Sequence, residues 1–196
     1  MAGRPTAGIL ALQGDFEAHS KAIERSGGEV VEVRTAADLQ RCGGLIIPGG
    51  ESTTMLKLLD QEQLTGPILT FAQTKPVYGS CAGAILLARE VTHPSQASLG
   101  LMDIAVERNA YGRQIDSRIV RLPTELGEIE AVFIRAPKIV KTLGPVTVLA
   151  SYQGDPVWVE QGRHVVTTFH PELSPDLRVH ARFLDQILRA AGGGPI

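Results

Sequence analysis

The chain has 196 residues, 43% hydrophobic and 20% charged, with a formal net charge of −2. That length suits a single α/β domain over residues 1–196 with a sizeable core, and the near-neutral balance gives no electrostatic footprint for nucleic acid. No stretch approaches the roughly 20 apolar residues of a membrane span, residues 1–7 lack a signal-peptide layout, and two cysteines, Cys42 and Cys81, do not make a secreted disulfide framework, so a soluble cytoplasmic protein is expected.

Residues 7–12 form a continuous apolar run, the pattern of a strand buried on both faces. Gln13-Gly14-Asp15 ends it, and Asp15 is suited to cap the helix that follows. Phe16, His19, Ala22 and Ile23 share one face of that helix, which Gly27-Gly28 stops. A strand over 29–34, a short helix over 36–40 and a strand over 45–47 come next. This β-α-β-α-β rhythm predicts a parallel sheet with helices on both faces. Cys42 lies in a turn before a strand, with no helix behind it, and reads as structural.

Pro48-Gly49-Gly50-Glu51-Ser52-Thr53-Thr54 closes the third strand and opens a helix over 53–59. Paired glycines let backbone N–H groups face a ligand closely. The plainer alternative is a glycine turn with Ser52 as helix cap. Position favours the ligand, because doubly wound sheets bind at the carboxyl ends of their strands.

A helix over 64–74 leads into Val77-Tyr78-Gly79-Ser80-Cys81-Ala82-Gly83, then a helix over 82–89. Gly-x-Cys-x-Gly between a strand and a helix is a nucleophile-elbow spacing. It lifts the sulfur over the sheet edge and sets it at a helix N-terminus, where the dipole favours a thiolate. The competing reading is a small buried hydrophobe.

Residues 91–98 read as a polar loop, with His93 solvated. Ile104 to Val106 are apolar enough for a short strand. In the polar run that follows, Arg108 and Arg113 read either as surface charges or as holders of a carboxylate. Residues 131–134 form a strand that ends at Arg135-Ala136-Pro137. Residues 146–151, 157–160 and 164–169 read as antiparallel strands joined by Gly-containing turns. Ser174-Pro175 predicts a final helix with serine as cap, proline first and Asp176 in the first turn. Val179, Phe183, Ile187 and Leu188 make its apolar stripe, and Gly192 ends it.

His170-Pro171-Glu172 supplies a base. Pro171 pushes His170 towards extended backbone, and residues two apart on extended chain point the same way. Glu172 can then orient the imidazole and stabilise its protonated form, as the acid of a triad does. His19, His93, His164 and His180 lack an acidic neighbour at this spacing and position. No paired Cys or His spacing points to a metal.

Taken with these motifs, Gly79-Ser80-Cys81-Ala82-Gly83 and His170-Pro171-Glu172 resemble the triad glutamine amidotransferases. Leu10-Ala11-Leu12-Gln13-Gly14, the Gly49-Gly50-Glu51-Ser52 run, the Arg108-Asn109-Ala110-Tyr111-Gly112-Arg113 run and Phe133-Ile134-Arg135-Ala136-Pro137 narrow the resemblance to the glutaminase-subunit family of pyridoxal 5′-phosphate synthase. Ser80 stands where that family more often has threonine. The resemblance implies a three-layer, doubly wound, mostly parallel sheet of the flavodoxin-like class I glutamine amidotransferase fold, with an antiparallel C-terminal extension. It implies that Cys81 attacks L-glutamine, His170 moves the protons and Glu172 orients His170. It also implies an oxyanion hole from the N–H groups of Gly50 and Ala82, and glutamine contacts at Gly50, Glu51, Ser52, Arg108, Ile134 and Arg135. Ammonia would pass to a separate synthase subunit in a hetero-oligomer, and this chain would need neither cofactor nor metal.

Three other readings remain. A chaperone- or protease-like branch has a similar elbow but generally lacks the His-Pro-Glu and Gly-Gly-Glu-Ser runs. A cysteine hydrolase of the dienelactone type shares the elbow, but α/β-hydrolases place the acid before the histidine, whereas Glu172 follows His170. A silent regulatory subunit is opposed by the intact Cys81, His170 and Glu172. The Gly49-Gly50 peptide is also a candidate switch, since glycine rotates its peptide with little steric penalty, and Gln13 is expected close by.

Overall fold

The computed structural model describes residues 3–110 and 117–192. Arg113 of the polar run lies outside the described residues. The opening half is β1 (Thr6–Leu10), α1 (Phe16–Arg25), β2 (Glu29–Val33), α2 (Ala36–Gln40) and β3 (Gly44–Ile47). Helices α3 (Ser52–Gln61) and α4 (Thr65–Ala72) lead to β4 (Val77–Ser80) and the elbow helix α5 (Ala82–Leu87). Five strands follow: β5 (Ala88–Thr92), β6 (Met102–Glu107), β7 (Arg118–Thr124), β8 (Gly127–Phe133) and β9 (Lys138–Thr142). Strands β10 (Thr147–Tyr152), β11 (Asp155–Gln161) and β12 (His164–Thr167) precede the last helix, α6 (Arg178–Ala191).

Seven strands make the main sheet, in the order β10-β11-β12-β4-β3-β1-β2. The stretch from β2 to β12 is parallel, and β10, β11 and β12 pair antiparallel. The third predicted antiparallel strand thus also closes the parallel part, through β4. The continuous apolar runs have a simple cause. Leu10, Leu45, Ile47 and Val77 face a core built with α2 to α5, while Ile9, Ile46 and Tyr78 face one built with α1 and α6. Both faces are covered, so polar alternation has no place in these strands. Each such Leu or Ile contributes about 1.5–3 kcal/mol by leaving water. The helices on both faces and the parallel centre match the predicted doubly wound class.

Several boundaries differ from the sequence reading. The elbow helix stops at Leu87 rather than at 89, because Ala88 turns extended (φ −62°, ψ 146°) and β5 pairs with β6. The β5–β6–β9 sheet and the β7–β8 hairpin put strands at 88–92, 118–124 and 138–142, where none was predicted. The last helix starts at Arg178, not at 175. Ser174 Oγ accepts from the Asp176 N–H (3.1 Å) and Asp176 Oδ1 from the Arg178 N–H (3.0 Å), and these two local turns compete with helix until 178. Leu188 is exposed, whereas Leu184 joins Val179, Phe183 and Ile187 in the core. No helix among the described residues is long and apolar enough to cross a membrane.

Candidate active site

The sheet order reverses between β1 and β3, and in doubly wound sheets a crevice opens outside such a switch point. Here the two loops meet. The Asp15 N–H donates to the Gly49 carbonyl (3.3 Å), and the Glu51 N–H donates to Gln13 Oε1 (3.1 Å). Gly14 sits at φ +89°, and a Cβ there would overlap the Gly49 carbonyl oxygen. Asp15 marks the start of α1 but its side chain makes no cap bond. The cap of α3 is Glu51 rather than Ser52: its carboxylate accepts from the N–H groups of Thr53 (3.0 Å) and Thr54 (2.7 Å).

Cys81 occupies the turn between β4 and α5 with φ +50° and ψ −104°. A non-glycine residue there is strained, by about 1–3 kcal/mol. The turn is held from below, since the Cys81 N–H donates to the Thr167 carbonyl (2.9 Å). It is also held from behind, where Gly83 lies so close to the Ile47 carbonyl that a Cβ would overlap it. The strain therefore resides in a turn fixed by its neighbours, with the sulfur at the N-terminus of α5. Cys42 is the contrasting case: its thiol donates to the Asp38 carbonyl (3.3 Å), and burial pushes it up to about 11.

His170 follows β12, beside β4, so parallel pairing brings His170 and Cys81 to one edge. Pro171 opens a single 3-10 turn, Pro171–Leu173, which carries Glu172 under the imidazole. His170 Nδ1 and Glu172 Oε1 are 2.7 Å apart, and both residues are buried. Burial alone would lower the His170 pKa, but hydrogen bonds with the Cys81 and Glu172 side chains outweigh it and raise it to about 10. Burial would raise Glu172, but the nearby imidazole of His19 and the hydrogen bond and charge of His170 hold it down at about 2. The edge therefore carries a cationic imidazole between a sulfur and a carboxylate. Asp15 brings a carboxylate near the same pair, the three ligand atoms lying within 4.8 Å of one another.

A cavity of about 400 Å³ opens over this edge. It is lined by Cys81, His170 and every residue the sequence placed at the substrate or oxyanion: Gly50, Glu51, Ser52, Ala82, Arg108, Ile134 and Arg135. Glu172 lines a separate recess with Asp15, Lys21 and Arg25. Arg108 bonds Thr53 Oγ1 (3.0 Å) and lies 3.4 Å from Glu51 Oε1. Hydrogen bonds, the Thr54 hydroxyl first among them, lower Glu51 to about 2. Ser52 Oγ donates to Gln96 Oε1 (3.0 Å). Arg135 sits at φ +44° in the turn after β8. Gln13, Asp15 and Asn109 also line the cavity; Gln13 was expected beside the Gly49–Gly50 peptide, whereas Asp15 was read only as a helix cap and Asn109 was assigned no role.

Sequence spacing left His19 without an acidic partner. Tertiary packing supplies one, since His19 Nε2 is 3.3 Å from Glu172 Oε2. Burial lowers His19, His164 (to about 4) and His180 (to about 3) below the usual imidazole value. A group depressed in the folded state favours folding above its unfolded pKa, and that contribution is lost as pH falls. Stability is therefore expected to drop between pH 6.5 and 4. His170 has the opposite sign: its contribution is full below about 6.5 and lost as pH rises through about 10. Melting temperature against pH should peak near neutrality and fall more steeply on the acid side, where three histidines act against one. A flat profile from pH 7 to 4.5 would contradict the neutral buried histidines.

The doubly wound sheet, the cysteine elbow and the clustered His170 and Glu172 define a class I glutamine amidotransferase architecture. A solved structure titled as a glutamine amidotransferase superposes with a TM-score of 0.88 at 42% identity, covering 92% of this chain and 98% of that one. The structure of PurLQS from Thermotoga maritima shares the fold at 19% identity, with a TM-score of 0.71 over 96% of this chain and 97% of that one. The chain belongs to the SNO glutamine amidotransferase family, whose model matches residues 9–189. Among its relatives, a pyridoxal 5′-phosphate synthase subunit PdxT from Solibacter usitatus is 57% identical, covering 92% of this chain and 98% of the relative. The subunit of the same name from Koribacter versatilis is 50% identical, over 95% of this chain and 97% of the relative.

Proposed function

We infer that this chain is the glutaminase subunit of pyridoxal 5′-phosphate synthase, acting as one cytoplasmic catalytic unit over residues 1–196. It hydrolyses L-glutamine to L-glutamate and ammonia and delivers the ammonia to a synthase subunit. The observation that carries the chemistry is the Cys81–His170–Glu172 cluster, of which Cys81 and His170 line the cavity and Glu172 bonds His170 from beneath. The relatives' names supply the pathway.

Cys81 is the nucleophile. His170, raised to about 10 by its hydrogen bonds with Cys81 and Glu172, takes the thiol proton and delivers it to the leaving ammonia. Sulfur bonds to the amide carbon, the C–N bond breaks, and a glutamyl thioester remains. His170 then takes a proton from the water that hydrolyses it. The N–H groups of Ala82 and Gly50 stabilise the tetrahedral oxyanion, each worth roughly 2.7–4 kcal/mol by comparison with other acyl-transfer enzymes. The cavity's arginines, Arg108 and Arg135, anchor substrate charge.

The Gly49–Gly50 peptide is the proposed control point. With the Gly49 carbonyl held by the Asp15 N–H, the trans geometry aims the Gly50 N–H the opposite way. Turning this peptide forfeits one long hydrogen bond, so a partner pressing on the Gln13–Asp15 loop can set its orientation. Glutamate release by the purified chain, titrated with synthase subunit, tests both points. Weak release alone and a clear rise on titration are expected. Full release that the partner leaves unchanged removes the switch. No release under either condition, with the complex formed, removes the glutaminase assignment.

A further inference from the structure

Behind the triad, on the side away from the cavity, lies a second set of buried histidines that the hydrolysis scheme does not use. His19 on α1 and His180 on α6 are both fully buried. His19 Nδ1 is 3.0 Å from His180 Nε2. His19 Nε2 is 2.9 Å from Ser80 Oγ, one residue before the nucleophile, and 3.3 Å from Glu172 Oε2. The outer oxygen of Glu172 makes no hydrogen bond, and neither does His180 Nδ1. Buried polar atoms without partners are uncommon enough to need a cause.

The two orphans together choose a tautomer. Suppose His19 carried its proton on Nδ1 and donated to His180 Nε2. His180 would then hold its proton on Nδ1, a buried donor with no acceptor, and His19 would turn a bare lone pair towards the Glu172 carboxylate. In the other arrangement His180 Nε2–H donates to His19 Nδ1, and His19 Nε2–H faces Ser80 Oγ and Glu172 Oε2. The His180 orphan is then a lone pair, the cheaper group to leave unpaired, and the carboxylate meets a donor dipole. Burial keeps both rings neutral, so each has one proton to place.

We propose that His19 is a positioning residue for the triad: its Nε2–H, bonded to Ser80 Oγ, turns the positive end of the ring dipole towards the outer oxygen of Glu172 at 3.3 Å while His170 holds the inner one by a hydrogen bond, and His180 fixes the tautomer that makes this possible. The carboxylate is thereby set between two imidazoles and presented to His170 in one orientation. The groups facing His19 are Glu172 and His170 from the turn after β12, Asp15 from the loop before α1, His180 from α6, and Ser80 and Tyr78 from β4. The hydroxyl at position 80 takes part, which gives its side chain a role beyond filling the elbow.

This inference rests on the triad reading above. The test is glutamate release by the complex with the synthase subunit, measured against glutamine concentration and pH. His19→Leu should lower kcat roughly ten- to a hundredfold with KM little changed. Its pH–rate profile should narrow on the acid side: Glu172, losing the imidazole dipole that helps hold its charge, takes up a proton at higher pH. His19→Gln, whose amide Nε2–H replaces the donor, should recover most of kcat and the width. Wild-type kcat and width in His19→Leu overturn the proposal, and so does an equal loss in both variants with an unaltered width. Should His19→Leu not fold, the decision passes to His180→Leu, which keeps the donor but frees its tautomer; a narrowed profile supports the role and a wild-type profile overturns it. Cys81→Ala run in parallel separates the two levels. If it stays active the triad reading falls, and if it is dead while the His19 variants match wild type, only the positioning role falls.

Discussion

Cys81→Ala is expected to abolish glutamate release, by roughly 10⁴-fold or more, while the protein still folds and still binds its partner. Alanine removes the sulfur and with it the hydrogen bond to His170, but it keeps Cβ and the backbone bond of the elbow to the Thr167 carbonyl. It also keeps the strain, because φ +50° is as unfavourable for alanine as for cysteine. Cys81→Gly should therefore be the more stable of the two dead variants, by up to about 1–2 kcal/mol, since glycine adopts positive φ freely. An order of stability with alanine above glycine would show that the turn is not strained. Cys42→Ala should retain full activity and lose some stability, because it opens a small void beside Gly8 and Val33. Activity and melting temperature measured on all three variants separate a nucleophile from a core cysteine. An active Cys81→Ala, or an inactive but folded Cys42→Ala, reverses the assignment.

The parts of this molecule written in local chemistry were legible in the sequence. Pro48-Gly49-Gly50 after three apolar residues, and Gly-x-Cys-x-Gly between a strand and a helix, encode backbone geometry that few other residues allow. The parallel centre was legible because its strands are buried on both faces. The strands that escaped notice lack any such signature. β7 exposes or half-exposes all its residues except Leu122, and β9 buries only Ile139, so neither shows a period of two. β5 carries Ala88, Arg89 and Glu90, residues with helical preference, and is a strand because β6 pairs with it. The residues proposed to meet glutamine entered the reading only through resemblance. The role of Glu51 at the start of α3 would have been readable as a carboxylate before two threonine N–H groups, but serine beside it gave the more familiar cap. His19 was out of reach altogether: it lies 153 positions from Glu172, and only the packing of α1 against the turn after β12 brings them together.

Glu172→Gln is expected to cut turnover by roughly 10³–10⁴-fold with KM little affected, and His170→Asn at least as far. The carboxylate is ionised throughout the working range, being lowered to about 2, so the wild-type site always presents a charge to His170. Glutamine has nearly the same shape but one oxygen. If that oxygen accepts from His170 Nδ1–H, the amide nitrogen is turned towards His19 Nε2, where a carboxylate oxygen stood. If the amide turns over, it offers a donor to His170 and forces the proton off Nδ1, which is the wrong tautomer for a base acting at Cys81. Either way the imidazolium loses the anion that raised its pKa, and the His170 proton leaves at lower pH. The alkaline limb of the pH–rate profile should therefore move to lower pH in Glu172→Gln, a displacement that lost packing would not produce. Because stability tied to Glu172 ionisation is fully present above about 4.5 and lost only as pH falls through about 2, the variant lacks that contribution and should melt somewhat below wild type between pH 6 and 8 while remaining folded, checked by melting temperature and by capture of the synthase subunit. Near-normal glutamate release in both variants, with the protein folded, would take His170 and Glu172 out of the mechanism and leave Cys81 to be activated by the helix N-terminus alone.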